Sequence, residues 1–174
     1  MQHIYHGVPE QMTGNVLMPL NRMKTTQPKL YKKYLEKYKG REEILQKRIP
    51  LLGCFWNDVV QFSPLNPQVV FETQKELGII ESVPPYNFFQ IELETLDPSK
   101  TVVYFKTAPG EENVSVKWLQ NVDLATVQKV PKATLDYYKS FVGTGELPLN
   151  YQFMPHILYL GNVDVSNATI VTLE

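Results

Sequence analysis

The hydrophobic segments of this chain are short, and most of them end at a proline or a glycine. The chain has 13 prolines and 9 glycines. Proline cannot continue a helix or donate to a sheet, so these closely spaced breaks limit each element to a few residues. No window approaches the roughly 18 apolar residues that a membrane span needs. The pattern therefore predicts many small elements and no transmembrane helix.

Alternating and β-branched runs predict several consecutive strands. They cover residues 3–8, 15–20, 88–96, 101–105, 156–160 and 163–173. Residues 51–62 are mainly apolar and fit either a buried strand or a helix with a polar edge. Strands in series, interleaved with about three helices, indicate one α+β domain over residues 1–174 with a mostly antiparallel or mixed sheet.

Three segments carry the signals of helices. Asn66 and Pro67 fit the N-cap and first position of a helix that ends at Gly78. Residues 131–141 predict a second helix. The third begins at Pro28, where apolar side chains recur at helical spacing along one stripe. That stripe contains Leu30, Tyr31, Tyr34, Leu35 and Tyr38.

Basic residues are concentrated around the third helix. Residues 22–48 carry a formal charge of +7, and the rest of the chain carries −8. A basic helix over residues 28–41 is expected to contact nucleic acid or an acidic protein, or to face only water. The lysines predicted to make such contacts are Lys29, Lys32, Lys33 and Lys37.

Cysteine and histidine usage limits the covalent and metal chemistry that the chain can support. Cys54 is the only cysteine, which excludes an intramolecular disulfide and predicts a reducing compartment. No secretory signal pattern begins the chain, so we expect a cytoplasmic protein. His3 and His6 point to opposite faces of one strand. A metal site would have to combine His6, His156 and one carboxylate, and no H-x-x-x-H or H-x-H pair supports it, so we expect no metal.

The familiar nucleotide-binding and hydrolase motifs are absent from the sequence. None of the glycines lies in G-x-x-x-x-G-K or G-x-G-x-x-G, and no serine lies in G-x-S-x-G. Asn57 and Asp58, beside Trp56, interrupt an apolar run. They fit either a structural polar network or a pocket with Trp56 as its wall. His156, at the start of a late strand, is a further pocket candidate.

Two segments resemble a known family. The sequence Tyr5-His6-Gly7, followed by Gly14-Asn15-Val16-Leu17-Met18-Pro19, is similar to the opening of ADP-ribosyltransferase-fold proteins. Residues 59–67 are similar to a segment of the DNA-modifying ADP-ribosyltransferase toxins of toxin–antitoxin systems. The resemblance covers parts of residues 4–67 and 143–160.

The resemblance implies an enzyme that binds NAD in a cleft and cleaves its nicotinamide–ribose bond. It assigns NAD binding to Tyr5, His6 and an arginine, for which Arg41 and Arg48 are the available positions and Arg41 is preferred, and it makes Tyr104 the candidate to stack on nicotinamide. Glu146 would then be the catalytic carboxylate, because positive charge develops on the ribose as the bond breaks. The alternative is a non-catalytic α+β protein that binds its partner through the basic helix.

Overall fold

The computed structural model describes residues 2–174 and has an α+β fold, as the sequence predicts. Its α-helices are α1 (Leu20–Thr26), α2 (Pro28–Leu35), α3 (Pro67–Glu76) and α4 (Lys132–Lys139). Its strands are β1 (His3–Gly7), β2 (Val16–Leu17), β3 (Arg48–Ile49), β4 (Cys54–Phe55), β5 (Val60–Phe62), β6 (Asn87–Glu92), β7 (Thr101–Lys106), β8 (Val114–Trp118), β9 (His156–Tyr159), β10 (Val163–Asp164) and β11 (Thr169–Thr172).

Two antiparallel sheets form the framework. One has the strand order β1-β6-β11, and the other has the order β5-β9-β7-β8. The backbones of Tyr5 and Ser63 exchange two hydrogen bonds of 2.9 Å, which place β1 beside the end of β5. The two short pairs β2-β10 and β3-β4 lie outside these sheets.

Apolar side chains fill both faces of the framework because the central strands are covered on each side. Val102 and Val103 are neighbours on β7, so they point to opposite faces, and both are fully buried. Val103 packs in a cluster with Ile4 and Phe62, whereas Val102 packs with Ile49. A third cluster joins α3 and α4 through Val70 and Tyr138.

The predicted start of α3 is confirmed. The Asn66 side chain accepts a hydrogen bond of 3.0 Å from the Gln68 N–H, and Pro67 is the first helical residue. Gly78 has a φ of 72°, a left-handed conformation that glycine adopts without strain, and its N–H bonds the Lys75 carbonyl at 2.9 Å. The predicted helix over residues 131–141 is also confirmed as α4.

Several segments differ from their predicted bounds. The predicted strand over 88–96 ends at Glu92, and Leu93–Thr95 form a 3-10 turn. Only residues 16 and 17 of the predicted strand over 15–20 pair with another strand, and α1 begins at Leu20, after Pro19. The segment 51–62 is divided into β4, a 3-10 turn and β5. The predicted last strand over residues 163–173 is two short strands joined by a turn.

The basic helix is shorter than predicted. α2 ends at Leu35, a 3-10 turn covers Glu36–Tyr38, and Gly40 has a φ of 79°. The residues after Gly40 form a second 3-10 helix, Glu42–Gln46. The range 28–41 is therefore a helix followed by a tighter turn.

Candidate functional site

A cavity of about 270 Å³ lies between the end of β1, β2, the pair α1–α2 and the segment that leads into β5. Much of its wall is apolar, with contributions from Met12, Leu17, Met18, Leu20, Met23 and Leu30. Its polar side chains include His6, Tyr34, Lys37, Tyr38, Asn57 and Gln61. A mostly apolar pocket with a few converging polar groups is typical of a small-molecule site.

Helix α2 covers this cavity with the stripe that the sequence predicts to face inward. Leu30 and Tyr34 lie on that stripe and line the cavity, as does Tyr38 in the turn that follows. No residue of α2 itself is buried. The stripe therefore faces a partly open space as well as packed side chains.

His6 presents a neutral imidazole to the cavity. Its Nδ1 lies 2.7 Å from the Gln61 carbonyl oxygen, which only accepts hydrogen bonds, so Nδ1 carries the proton. Burial lowers the pKa of His6, and the nearby Lys37 charge lowers it further against the opposing effect of that hydrogen bond. The ring also packs edge-on against Phe62, with centroids 5.6 Å apart. These contacts leave Nε2 as an unprotonated acceptor.

Lys37 brings a cation to the same wall. The residue as a whole is exposed, but its ammonium lies 4.9 Å from the centroid of the Tyr38 ring. Protein packed around the ammonium, followed by the charge of Arg41, lowers the pKa of Lys37. An anionic group of a ligand would relieve both effects.

The 3-10 turn Trp56–Asp58 places Asn57 in the cavity wall. Asp58 fixes the turn: its Oδ2 accepts from the Phe55 N–H at 2.8 Å, and its Oδ1 accepts from Asn21 Nδ2 at 2.7 Å. Asn57 is only 3% exposed, and its Oδ1 has no hydrogen-bond partner among residues 2–174. The hydroxyl of Tyr34 is likewise buried without a partner in that part of the chain.

Three other predicted site residues, Trp56, Tyr104 and His156, pack together on the opposite side of the Trp56–Asp58 turn. The Trp56 ring lies 5.0 Å from Tyr104 and 6.0 Å from His156, measured between centroids. His156 bonds the Met154 carbonyl through Nδ1 at 2.9 Å, and burial lowers its pKa. Burial also raises the pKa of Tyr104. These side chains form a packed aromatic cluster, and none of them lines the cavity.

Arg41, Glu146 and Tyr5 also lie outside the cavity lining. Arg41 donates from Nη2 to the Lys37 carbonyl at 2.8 Å and lines a larger, open groove of about 700 Å³ with Lys47, Arg48 and Lys106. Glu146 is in an exposed loop, where its N–H bonds Thr144 Oγ1 at 3.1 Å. Tyr5 packs with the α3–α4 cluster. Of the predicted residues, the cavity brings together His6, Lys37 and Asn57.

Sequence reasoning missed Tyr34, Tyr38 and Gln61 as site residues. The spacing of the two tyrosines does place them on the inward stripe, but spacing does not reveal whether a stripe faces a core or a cavity. Gln61 alternates with buried neighbours on β5 in a regular strand pattern. Its part in the site, accepting from His6 through its backbone carbonyl, has no side-chain signal.

The described residues contain no group of three or more His, Cys, Asp or Glu side chains arranged to hold a metal ion. No helix within residues 2–174 combines the length and the hydropathy of a membrane span. Comparisons with protein-family models, with curated protein sequences and with solved structures find no match to this chain. The geometry of the cavity is therefore the basis for a functional proposal.

Proposed function

We propose that this protein binds a small organic ligand of nucleoside size in the cavity between β1 and α2. The observation that carries the proposal is the combination of an apolar wall with two polar groups close to each other on it, the unprotonated Nε2 of His6 and the ammonium of Lys37. A mostly apolar pocket with a few converging polar groups is the usual form of a small-molecule site.

The volume and the charge of the cavity restrict the ligand. At about 270 Å³ it lies just below the usual range of ligand pockets, about 300 to 1,000 Å³. A nucleoside fits such a volume, whereas a whole dinucleotide would extend out of it. The ammonium of Lys37 favours a ligand with a phosphate or carboxylate at one end.

NAD is the specific candidate that the family resemblance supplies. Its nicotinamide–ribose half has the size and polarity that the cavity accommodates, and its pyrophosphate would lie toward Lys37. His6, which the resemblance assigns to the ribose, is in the cavity wall. Arg41 is bonded to the Lys37 carbonyl and is thus near the same end.

Ligand-observed NMR on the full chain tests the binding proposal. A panel of nucleosides, mononucleotides and NAD is measured on the wild type and on Leu30→Trp, which places an indole in the cavity. We expect at least one compound to bind the wild type and to lose at least about tenfold in affinity in the variant. If no bound compound responds to Leu30→Trp, the cavity is not the binding site.

Cleavage of NAD is a second candidate, favoured by the position of His6 on the cavity wall. The described residues that line the cavity include no Asp or Glu, so the ribose would need a carboxylate brought from elsewhere, such as Glu146. Release of nicotinamide from NAD is the direct assay. If cleavage occurs and needs that carboxylate, Glu146→Gln abolishes it while leaving NAD binding unchanged. No release by the wild type contradicts this second candidate alone.

A further inference from the structure

Strand β11 is the outer strand of the sheet β1-β6-β11, and within residues 2–174 it pairs with β6 alone. The Leu173 N–H donates to the Tyr86 carbonyl at 3.0 Å, so Leu173 is bonded on the β6 side. Successive residues of an antiparallel strand bond alternately to its two sides. The N–H and C=O groups of Ile170 and Thr172 therefore point away from β6.

The hydrogen bonds on the other side of β6 agree with this assignment. The Val8 N–H donates to the Asn87 carbonyl at 2.9 Å, so by the same alternation the odd-numbered residues of β6 bond β1. Its even-numbered residues are left to bond β11. The register places Ile170 and Thr172 opposite odd-numbered residues, so neither of them bonds β6 through its backbone.

The outward side of this segment is paired at Glu174 but not at Ile170 or Thr172. The Glu174 N–H donates to Gln68 Oε1 at 3.2 Å, and Gln68 Nε2 donates to the Glu174 backbone oxygen at 2.8 Å. The Gln68 amide thus takes the place of a neighbouring strand at that position. No backbone hydrogen bond elsewhere in the described chain uses Ile170 or Thr172. The edge of β11 therefore presents two donors and two acceptors in a row.

The side chains of β11 do not protect this edge. Ile170 is 56% exposed although it lies within the strand, and Thr169 and Thr172 are exposed as well. Natural sheets often protect an open edge with a lysine. The outer strand of the other sheet, β8, has the exposed Lys117, whereas β11 has no charged residue. The edge of β11 is therefore open to another strand.

We propose that β11 pairs with β11 of a second copy of the chain, antiparallel and about a two-fold axis. When Val171 lies opposite the second copy's Val171, Ile170 lies opposite the second copy's Thr172, and the reverse pair forms on the other side of the axis. Each of these two pairs exchanges two hydrogen bonds, so four form. They use every outward donor and acceptor of the two residues in both copies.

The composition of the edge favours a second copy as the occupant. An uncharged strand has no electrostatic means of selecting a foreign segment, and two copies of it bring no like charges together. A second copy also matches the edge in length and in register. Ile170 of each copy then packs across the new pair, which removes exposed apolar surface from water. The association does not depend on ligand binding in the cavity.

Analytical ultracentrifugation of the full chain from about 1 µM to about 1 mM tests the proposal. The interface is small, so we expect a reversible dimer that dissociates within that range. Ile170→Lys should weaken the dimer at least about tenfold, because it brings two ammonium groups to the same edge. Leu147→Lys is the matched control, since it places a lysine at another exposed apolar position, in the loop after α4, and should leave the dimer unchanged.

Thr172→Pro removes one outward donor and leaves the hydrogen bonds between β11 and β6 in place. It should weaken the dimer at least about tenfold, whereas Thr172→Ala keeps the N–H and should weaken it less. Thermal melting verifies that each variant is folded.

Hydrogen exchange of the wild type at the two ends of the concentration range locates the interface. The amides of Ile170 and Thr172 should exchange more slowly at the high concentration, since they are bonded only in the dimer. The amide of Val116 is the control. The Thr107 N–H bonds the Asn113 carbonyl, so Val116 faces away from β7 on the outer edge of β8, and its exchange should not change.

A wild type that stays monomeric over the whole range would overturn the proposal and leave the open edge to a segment of another protein. A dimer that persists undiminished in folded Ile170→Lys and Thr172→Pro would also overturn it, as would exchange at Ile170 and Thr172 that is independent of concentration. The proposed ligand binding is measured separately with Leu30→Trp, and either proposal can fail without the other.

Discussion

The cavity region and the α3–α4 region each contain a buried amide side chain, but only one of the two amides is satisfied. Gln74 on α3 is 2% exposed, and its Nε2 donates to Asn150 Oδ1 at 3.0 Å. Asn57 is 3% exposed and has an unpaired Oδ1. Equal burial with unequal pairing therefore gives the Gln74 amide a stabilising hydrogen bond that the Asn57 oxygen lacks.

The polar groups around Gln74 are also hydrogen-bonded more completely than those around Asn57. In the α3–α4 region, the Tyr138 hydroxyl donates to the Asn150 carbonyl, and Thr134 Oγ1 donates to the Gln152 carbonyl at 2.9 Å. Tyr138 is fully buried, and burial raises its pKa to about 12. In the cavity region, Tyr34 of α2 has a buried hydroxyl with no partner within residues 2–174. The pairing is not complete in the α3–α4 region either, because the hydroxyl of Tyr151, which packs there, is also buried without a partner within residues 2–174.

The largest expected effect comes from truncating a buried side chain of the α3–α4 region. Tyr138→Ala should lower the free energy of unfolding by about 4 kcal/mol, because it empties a fully buried site and leaves the Asn150 carbonyl unpaired. Leu30→Ala, beside the cavity, should cost less than about 1 kcal/mol because Leu30 is only half-buried. Urea denaturation measures both, and equal losses would show that the cavity region is as tightly packed as the α3–α4 region.

Replacing each amide by leucine should change stability in opposite directions. Gln74→Leu is expected to lower the free energy of unfolding by about 2 kcal/mol, since it leaves Asn150 Oδ1 without its hydrogen-bond donor. Asn57→Leu is expected to raise it by about 1 kcal/mol, since it removes an unpaired buried oxygen. Denaturant titrations at one pH compare the two, and a destabilised Asn57→Leu would mean that the amide has a structural partner.

Acid should weaken the cavity region through His6 and the Trp56 aromatic cluster through His156. Burial lowers the pKa of His6 and of His156 below the usual value of 6.5. The unfolded chain therefore binds protons that the folded chain rejects, so this stability is complete above about pH 6.5 and is lost as the pH falls toward the folded pKa. Unfolding measured at pH 7.5, 6.0 and 5.0 should show a smaller loss in His6→Asn and in His156→Asn than in the wild type.

The charge of Lys37 is expected to affect His6 but not His156 in that experiment. The Lys37 ammonium contributes to the low pKa of His6, and burial is the only cause that lowers the pKa of His156. Lys37→Met should therefore reduce the acid sensitivity of the wild type but have no effect in a His6→Asn background. An unchanged pH profile in Lys37→Met would show that the Lys37 charge does not influence the protonation of His6.

The smallest effect on stability is expected on the outer face of α2. Lys29→Glu, Lys32→Glu and Lys33→Glu should each change the free energy of unfolding by no more than about 0.5 kcal/mol, even though Lys33 pairs with Glu10 at 3.1 Å, because that pair is exposed. The triple variant tests the proposal that the basic helix binds a polyanion. Labelled single-stranded DNA should bind the wild type more tightly than the triple variant, with a steep salt dependence. Equal binding by both proteins would exclude the outer face of α2 as the binding surface.

Local signals in the sequence were sufficient for much of the fold. The Asn66-Pro67 cap and the β-branched run of β7 predict their elements because a few neighbouring residues determine each one. The segment 51–62 was ambiguous because hydrophobicity dominates its pattern. The structure shows that Asp58 breaks it by bonding the Phe55 N–H, a contact that residue types alone do not reveal.

The candidate site was harder to predict, because a cavity is a property of spacing between elements. His6 and Asn57 stand out in the sequence as polar residues in apolar or extended surroundings, and both line the cavity. Trp56 and His156 stand out equally and pack together instead. Which side of the 56–58 turn each residue faces is determined by the tertiary arrangement of α1, β7 and β9.

The shallow packing of α2 has a kinetic consequence. Local opening of an element costs less free energy when few of its side chains are buried, and α2 buries none. Its amides are therefore expected to exchange hydrogen much faster than those of β7, where Thr101, Val102, Val103 and Tyr104 are all buried. A helix that opens readily over the cavity would give a ligand a way in without unfolding the sheets, so the rate of entry would be governed by α2 rather than by the stability of the whole protein.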